Sequence, residues 1–106
     1  MAEAILQVNF SLNVGVPEYR RICATIAPAF ADLPGLRWTT WLLDEQRNEA
    51  GGIYLFESEA ALQKFLDSPL AADIKAHPAL RNFSAKPFAV MEDVSAVTHA
   101  PIGAAV

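Results

Sequence analysis

Four side chains carry polar atoms at positions where the surrounding sequence is largely apolar. They are Asn9, Trp38, Tyr54 and His77. A buried amide, indole or phenol must find a hydrogen-bond partner, so Asn9 either bonds across a sheet or faces a cavity. Trp38 and Tyr54 lie on segments that we expect to pair, and there they could line a cavity between a sheet and its helices. Small-molecule sites combine apolar walls with a few such polar groups, so this cavity would suit a flat, apolar ligand.

Large aromatic side chains are candidates for the walls of the cavity. A plain hydrophobic core is the alternative interpretation, because aromatic side chains bury the most area and dominate cores in any case. For Asn9 the alternative is a structural hydrogen bond, and for His77 it is an exposed place at a helix end, where the helix dipole favours a protonated imidazole. The candidate wall residues are Phe10, Trp41, Phe65 and Phe83.

Residue types that bind metals or attack carbonyl groups are sparse. The two histidines, His77 and His99, are far apart and have no carboxylate or thiol at ligand spacing. The sequence has no nucleophile elbow, phosphate-binding loop or dinucleotide-binding glycine motif. Cys23 is the single cysteine, which excludes an intrachain disulfide, and its apolar neighbours indicate core packing. We therefore predict no metal and no bound cofactor.

The composition indicates one apolar domain. The chain has 106 residues, 53% hydrophobic and 19% charged, and we predict a single domain over residues 1–106. An apolar balance of this kind in a small chain favours a homo-oligomer. The net charge is −4 and the sequence has no run of basic residues, which argues against nucleic acid or a membrane as partner. The sequence shows no signal-peptide pattern and no membrane-spanning run, so a cytoplasmic location is expected.

A β-hairpin is predicted from Pro34 to Phe56, with extended runs at residues 35–44 and 51–56 joined by a polar turn. Side chains alternate between the two faces of a strand, and neither face of this hairpin is polar. Both faces must therefore be covered, by helices on one side and by a second subunit on the other. The pair Gly51 and Gly52 indicates a bulge or the close approach of another backbone.

The other elements follow from periodicity, caps and prolines. Pro28 predicts a kink or break near Thr25 in the first helix, and Pro87 predicts an edge position or a bulge for the last strand. The tail from Ser95 has no periodicity, so we expect it to fray or to wrap over the partner subunit. The predicted elements are a strand at Ala4–Leu12, a helix from Pro17 to about Asp32, the hairpin, a helix from Glu59 behind a Ser58 cap, a short helix from Ser68 and Pro69 to His77, and a strand from about Asn82 to Val94.

The resulting order of elements is βαββαβ. This order is typical of the α+β ferredoxin-like fold, in which both helices cover one face of a four-stranded antiparallel sheet. The other face stays open in a monomer. Pairing it with a second copy of the chain would form a dimeric α+β barrel.

The hairpin also carries a family resemblance. Pro34 and Gly35 open its first strand, Trp38 and Trp41 follow, and the run EAGGIYLF at Glu49–Phe56 leads into a helix rich in Ala and Leu. In these features the chain resembles the YdhR-type mono-oxygenase family, part of the dimeric α+β barrel superfamily. The resemblance implies the same fold, a homodimer through the open sheet face, and a cofactor-independent mono-oxygenase acting on a small aromatic or polyketide-like compound.

An enzyme of that kind would deprotonate an electron-rich phenol or enol and let the carbanion pass an electron to O2. The pocket would exclude water and stabilise the developing oxyanion. In this scheme the Asn9 amide and the Trp38 N–H donate hydrogen bonds to the oxyanion, while Tyr54 or His77 moves the proton.

The alternative function is a non-catalytic protein that binds an aromatic or haem-like ligand, for example under stress. The haem-degrading branch of the superfamily has an Asn on the first strand, a Trp on the second helix and a His after a Ser-Pro pair. Asn9, Ser68–Pro69 and His77 look similar, but Phe65 replaces the Trp and His77 lies about two residues further along. Such a shift turns a helical residue by roughly 200°, so haem is the less favoured ligand.

Overall fold

The computed structural model describes residues 2–103, which form four strands and four helices. Met1 and residues 104–106 lie outside the described residues. Both ends of the predicted domain, and the last part of the predicted tail, therefore also lie outside them. The elements are β1 (Ala4–Leu12), α1 (Val16–Ala31), β2 (Leu36–Asp44), β3 (Glu49–Phe56), α2 (Glu59–Leu66), α3 (Pro69–Lys75), β4 (Leu80–Ala89) and α4 (Glu92–Val97). The predicted α+β class and the ferredoxin-like order of elements are confirmed.

The four strands of the described chain form one antiparallel sheet in the order β2-β3-β1-β4. Alternation along β1 separates the two sides of the sheet, because Leu6, Val8 and Phe10 are buried whereas Gln7 and Asn9 are exposed. The buried side chains form the core with the helices. We call this side the helix face and the other side the open face.

The edge strands behave as their sequences require. Pro87, which has no backbone N–H to donate, lies on the edge strand β4, as predicted. A bulge occurs in β2 between Leu36 and Trp38, where the register with β3 shifts. It lies in the first strand of the hairpin and not at the paired glycines of β3.

α1 is continuous from Val16 to Ala31, so the predicted break near Thr25 is wrong. Pro28 lies in the last turn, where its missing N–H removes one hydrogen bond near the helix end. The Thr25 hydroxyl donates to the Arg21 carbonyl at 3.0 Å, and the turn after Pro28 closes when Asp32 N–H donates to the Pro28 carbonyl at 3.2 Å.

The second helical region consists of two pieces, as predicted. The Ser58 hydroxyl caps α2 by accepting a hydrogen bond from Ala61 N–H at 3.1 Å. Ser68 ends one helix and starts the next, since its hydroxyl donates to the Phe65 carbonyl at 2.6 Å and accepts from Ala71 N–H at 3.2 Å. This double role turns the chain so that α3 lies over the sheet.

The C-terminal part of the chain differs from the prediction. β4 ends at Ala89 and not at Val94, and a short helix, α4, follows in place of the extended and aperiodic residues. Glu92 and Asp93 lie in its first turn, where carboxylates favour helix formation by opposing the positive end of the dipole.

The described end of the tail is attached to its own chain, so fraying of residues 100–103 was a wrong prediction. The Trp38 Nε1–H donates to the Pro101 carbonyl at 2.8 Å, and Gly103 N–H donates to Glu3 Oε1 at 2.8 Å. Glu3 is only 5% exposed and pairs with Arg37 Nε at 3.0 Å. We call these contacts the tail clasp. Wrapping over a partner subunit stays a prediction.

Gly51 allows the two central strands to approach each other closely. A close backbone approach was one of the two predictions for the paired glycines, and a bulge was the other. It pairs with Asn9 of β1, and a Cβ atom at Gly51 would lie 2.0 Å from the Val8 carbonyl oxygen. The atoms that this Cβ would meet belong to the backbone of Val8 and Asn9 and not to a flexible side chain. The clash could therefore be relieved only by moving β1 and β3 apart.

We expect Gly51→Ala to destabilise the protein by about 3 kcal/mol or more, because the methyl group collides with backbone in the centre of the sheet. Urea denaturation measures the loss. Gly15→Ala is the matched control, since its nearest contact would be Pro17 Cδ at an ordinary 3.7 Å, and its effect should stay below about 1 kcal/mol. Equal unfolding midpoints for the two variants would contradict the close approach.

Candidate functional site

Tyr54 borders two of the cavities that lie between the helix face of the sheet and the helices. The first, cavity A, has a volume of about 190 Å³. The second, cavity B, has a volume of about 480 Å³. Cavity A is lined by Phe10, Tyr19, Ile22, Ile26, Phe30, Trp41, Gly51, Tyr54, Leu70, Asp73, Ile74, His77 and Leu80. Cavity B is lined by Leu6, Val8, Tyr54, Phe65, Leu66, Ala71, Ala72, Ile74, Lys75, Phe83 and Ala85.

The helix α3 lies above the boundary between the cavities. Ile74 of α3 and Tyr54 of β3 line both cavities, so these two side chains form the partition. Asp73 lines cavity A and Lys75 lines cavity B, because residues two apart on a helix point in nearly opposite directions. No residue of α3 is fully buried, so this helix is attached to the core less firmly than α1 or α2.

The predicted wall residues divide between the cavities. Phe10 and Trp41 line cavity A, whereas Phe65 and Phe83 line cavity B. Trp41 meets Phe30 edge-to-face with ring centroids 5.7 Å apart, and Phe10 stacks on Phe83 at 6.1 Å. Phe10 and Phe65 belong to the buried core and Phe83 packs against it, whereas Trp41 is exposed. A role for these side chains as the walls of a substrate pocket stays a prediction.

Tyr54 is held against the sheet by its neighbour two residues earlier. A Cβ atom at Gly52 would lie 3.1 Å from the Tyr54 hydroxyl oxygen and 3.1 Å from its Cζ atom, so the ring covers Gly52. Phe30 and Phe65 pack against the same ring, with centroids 5.5 Å and 6.1 Å away. Burial, and secondly the nearby thiol of Cys23, raise the pKa of Tyr54 to about 12. Its hydroxyl is therefore protonated near neutral pH and is a hydrogen-bond donor.

A second phenol lines cavity A from α1. Tyr19 is buried and meets Phe10 edge-to-face at 5.9 Å. Burial is the largest cause that raises the pKa of Tyr19, followed by its hydrogen bond to the Cys23 thiol. Burial likewise raises the pKa of Cys23, and the Tyr19 hydrogen bond and the Arg20 charge oppose that shift. A protonated, half-buried thiol agrees with the predicted packing role of Cys23.

His77 follows α3 and lines cavity A with its imidazole half-buried. Its Nδ1 atom accepts a hydrogen bond from Ala79 N–H at 3.1 Å. An imidazole nitrogen that accepts from a backbone N–H carries no proton, so the proton of neutral His77 is on Nε2. His77 therefore offers a donor to the cavity. A proton on Nδ1 would oppose the Ala79 N–H, and the protonated cap stays a prediction.

Asp73 was missed by the sequence analysis. It lies on α3, is exposed, and contributes a carboxylate to the lining of cavity A. In the sequence Asp73 and His77 have the i, i+4 spacing that brings side chains to one side of a helix, although α3 ends at Lys75 and His77 lies beyond it. Without knowledge of which side of α3 meets the sheet, that spacing had no evident meaning.

Asn9 and Trp38 line neither cavity A nor cavity B, so the prediction that they share a cavity with Tyr54 is wrong. Trp38 borders a separate pocket beside Ala27 and Ala31 of α1. Asn9 is exposed on the open face, where its Oδ1 accepts from Gln7 Nε2 at 3.1 Å. Trp38 pairs with Leu55, on the face opposite Tyr54, and its N–H belongs to the tail clasp. The alternation of side chains, together with the bulge beside Trp38, places both residues on the wrong side for the predicted oxyanion contacts.

Within residues 2–103, no three or more His, Cys, Asp or Glu side chains are grouped so that they could hold a metal ion. In the same part of the chain, no helix is long and apolar enough to cross a membrane.

With the fold and the cavities described, comparison with known proteins identifies the family. Residues 5–101 match the profile of the family described as "Putative mono-oxygenase ydhR". The chain belongs to the YdhR mono-oxygenase family. The resemblance noted in the hairpin is thereby confirmed over most of the chain. No functionally curated protein matches the sequence.

Solved structures of the same fold include proteins with different chemistry. SnoaB from Streptomyces nogalater, a cofactor-independent oxygenase, is 22% identical with a TM-score of 0.70, and the match covers 85% of this chain and 94% of SnoaB. The haem degrader MhuD from Mycobacterium tuberculosis is 24% identical with a TM-score of 0.64, covering 84% and 97%. NE2512 from Nitrosomonas europaea, of unknown function, is 19% identical with a TM-score of 0.72, covering 86% and 91%. These likenesses show the fold of this YdhR-family protein.

We predict that neither tyrosine of the YdhR-family protein ionises where free tyrosine does, near about pH 10. Burial raises the pKa of both Tyr19 and Tyr54. Because the folded-state pKa exceeds the unfolded one, the stabilisation from Tyr54 is complete below about pH 10 and is lost as the pH rises through about 12. The stabilisation from Tyr19 persists to higher pH, because its pKa is raised further. Ultraviolet absorbance of phenolate measures the titration, with the urea-unfolded protein as control. A native phenolate signal that is half developed near about pH 10 would contradict the burial of these hydroxyls.

Proposed function

We propose that this YdhR-family protein is a cofactor-independent mono-oxygenase that acts on a small aromatic or polyketide-like compound in cavity A. The observation that carries the proposal is the combination of apolar walls with the polar tips of Tyr54, His77 and Asp73 in one cavity. An apolar enclosure excludes water from a reactive carbanion, and a few oriented polar groups can stabilise charge that develops there.

The reaction requires O2 as the only oxidant. Removal of a proton from an anthrone-like phenol gives an enolate, and its electron-rich carbon passes one electron to O2. The resulting superoxide and substrate radical combine to form a C–O bond. The peroxide takes up a proton and loses water, leaving a carbonyl group. One oxygen atom of O2 thus enters the product and the other leaves as water.

Tyr54 and His77 are the proposed donors to the enolate oxygen. The Tyr54 hydroxyl is protonated because burial raises its pKa to about 12. The Nε2–H of His77 is fixed by the hydrogen bond that Ala79 N–H donates to Nδ1. These two groups replace Asn9 and Trp38 in the oxyanion role, since both of those residues lie on the open face. Donors prearranged in a dry site stabilise an oxyanion more than water does.

Haem fits this site poorly. A histidine that binds iron through Nε2 needs its proton on Nδ1 and an acceptor beside that atom. In this chain a donor, Ala79 N–H, lies beside Nδ1 at 3.1 Å. The spacing of His77 from Ser68–Pro69 and the hydrogen bond from Ala79 N–H both argue against haem as a ligand. We therefore propose no step that uses haem.

We expect the purified protein to consume O2 when given an anthrone-like phenol, measured with an oxygen electrode. Tyr54→Phe removes one oxyanion donor and should lower kcat by about a hundredfold. Asn9→Ala is the control, because its amide lies on the open face, and it should keep nearly the parent rate.

Two results would contradict the proposal. Tight binding of the phenol without oxygen uptake would support the non-catalytic binding protein instead. A Soret band that appears with haemin at one haem per chain and disappears in His77→Ala would support the haem branch, despite the orientation of His77.

We also propose that two copies pair through their open faces to form the dimeric barrel. Phe88 is 51% exposed on this face beside its strand partner Ile5. The half-buried side chains of Leu42 and Ile53 continue the apolar surface on the neighbouring strands. Exposed apolar side chains on adjacent strands favour burial against a second copy.

Adjacent leucines on β2 test the dimer. Leu42 pairs with Gly51 and points to the open face, whereas Leu43 pairs with Ala50 and points to the helix face. We expect Leu42→Lys to shift the protein toward a monomer in sedimentation velocity, because a charge would be buried in the interface. Leu43 is already 36% exposed, so Leu43→Lys should leave the dimer intact. A monomeric parent protein would contradict the pairing.

A further inference from the structure

The geometry points to Asp73 as the general base that removes the substrate proton in cavity A, an inference that rests on the proposed function. The proton-moving role that the sequence analysis gave to Tyr54 or His77 would then belong to a third side chain.

The first argument is the chemistry of the other polar groups in the cavity. Among the described residues, the titratable side chains that line cavity A are Tyr19, Tyr54, Asp73 and His77. Both phenols are protonated near neutral pH because burial raises each pKa, so neither can accept a proton. His77 uses its unprotonated nitrogen, Nδ1, for Ala79 N–H. To act as a base through Nε2, it would have to change tautomer and lose that hydrogen bond.

The second argument is the freedom of the Asp73 carboxylate. Within residues 2–103, Asp73 takes part in no side-chain hydrogen bond and in no ion pair. A carboxylate with unoccupied lone pairs at a cavity can accept a substrate hydrogen. Asp73 is the carboxylate among the described residues that lines cavity A, whereas Glu3 is held in the tail clasp and Asp67 accepts from Gln63 Nε2 at 3.2 Å.

The third argument is the arrangement of charge around the cavity. On the α1 side of the cavity lies neutral Tyr19, which is hydrogen-bonded to the Cys23 thiol. Neutral Tyr54 lines the cavity from β3, and His77 lines it just after α3. Lys75, the nearest cation along the helix, lines cavity B instead. The base thus lies on the α3 side of the substrate while the Tyr54 donor lies on the sheet side. In this arrangement Asp73 takes the proton of the substrate oxygen, and the Tyr54 hydroxyl donates to the oxyanion that remains on the same oxygen.

The proton is conserved through the reaction. Asp73 accepts it from the phenol or enol and returns it to the peroxide anion formed after O2 has combined with the carbon. The hydroperoxide then loses water, and the carboxylate is restored for the next turnover. No oxidant other than O2 is needed.

We expect Asp73→Asn to lower kcat for anthrone oxidation by about a hundredfold or more, since general base catalysis contributes about 10² to 10⁴. Asp67→Asn is the matched control, because Asp67 is an exposed carboxylate that lines neither cavity. Two further readouts separate a base from a structural residue. External acetate should partly restore the Asp73→Asn rate, and the variant should regain activity as the pH rises and the substrate ionises in solution.

A second measurement does not depend on turnover. A hydroxyanthraquinone carries the phenol but has no oxidisable ring carbon, and its bound spectrum reports ionisation. The Asp73 charge disfavours the bound phenolate, so Asp73→Asn should lower the pKa of the bound phenol by roughly half a unit or more. Tyr54→Phe should raise that pKa, because it removes a donor to the phenolate.

The outcomes separate this inference from the proposed function. If the parent protein neither oxidises the anthrone nor binds the hydroxyanthraquinone, the proposed function fails and the role of Asp73 fails with it. If it binds the hydroxyanthraquinone without oxidising the anthrone, the mono-oxygenase proposal fails, and the role of Asp73 as its base fails with it. If it oxidises the anthrone, but Asp73→Asn behaves like Asp67→Asn, the role of Asp73 alone is overturned.

Discussion

The alternation of side chains along the central strands β1 and β3 is the constraint on which the rest of the structure depends. Because successive side chains point to opposite faces, Phe10 and Tyr54 share the helix face while Asn9 and Leu55 share the open one. The absence of a side chain at Gly51 keeps these two strands in contact. The core, both cavities and the open surface follow from that single division.

Much of the fold could be predicted because its signals are local. β1 runs from Ala4 to Leu12 as its alternation indicates, and Ser58 and Ser68 mark the helix starts that their hydrogen bonds cap. The candidate site was harder, since it depends on which strands pair and in what register. Asn9 already alternated out of phase with the apolar side of β1, so its exposure was implicit in the sequence. The place of Trp38 was not, because a bulge beside it alters the phase of β2.

The chemistry of the site depends on hydrogen-bond direction more than on residue type. A histidine at the end of α3 is compatible with a metal ligand, a base or a donor, and sequence gives no preference among them. The N–H of Ala79, which is exposed to His77 by a turn of the chain after Pro78, selects the donor form. The same fold occurs in both a cofactor-independent oxygenase and a haem degrader, so the fold alone does not determine the chemistry of a site.

The tail clasp has a consequence for how the chain assembles. Glu3 and Gly103 are joined by a hydrogen bond although 100 positions separate them. Closing so long a loop costs conformational entropy before any contact compensates for it. The clasp should therefore form late in folding, after the sheet exists to bring the two ends together. It also leaves the two described ends adjacent in space, so a short peptide could join them and new termini could be opened in the β2–β3 turn, giving a circular permutant with the same sheet.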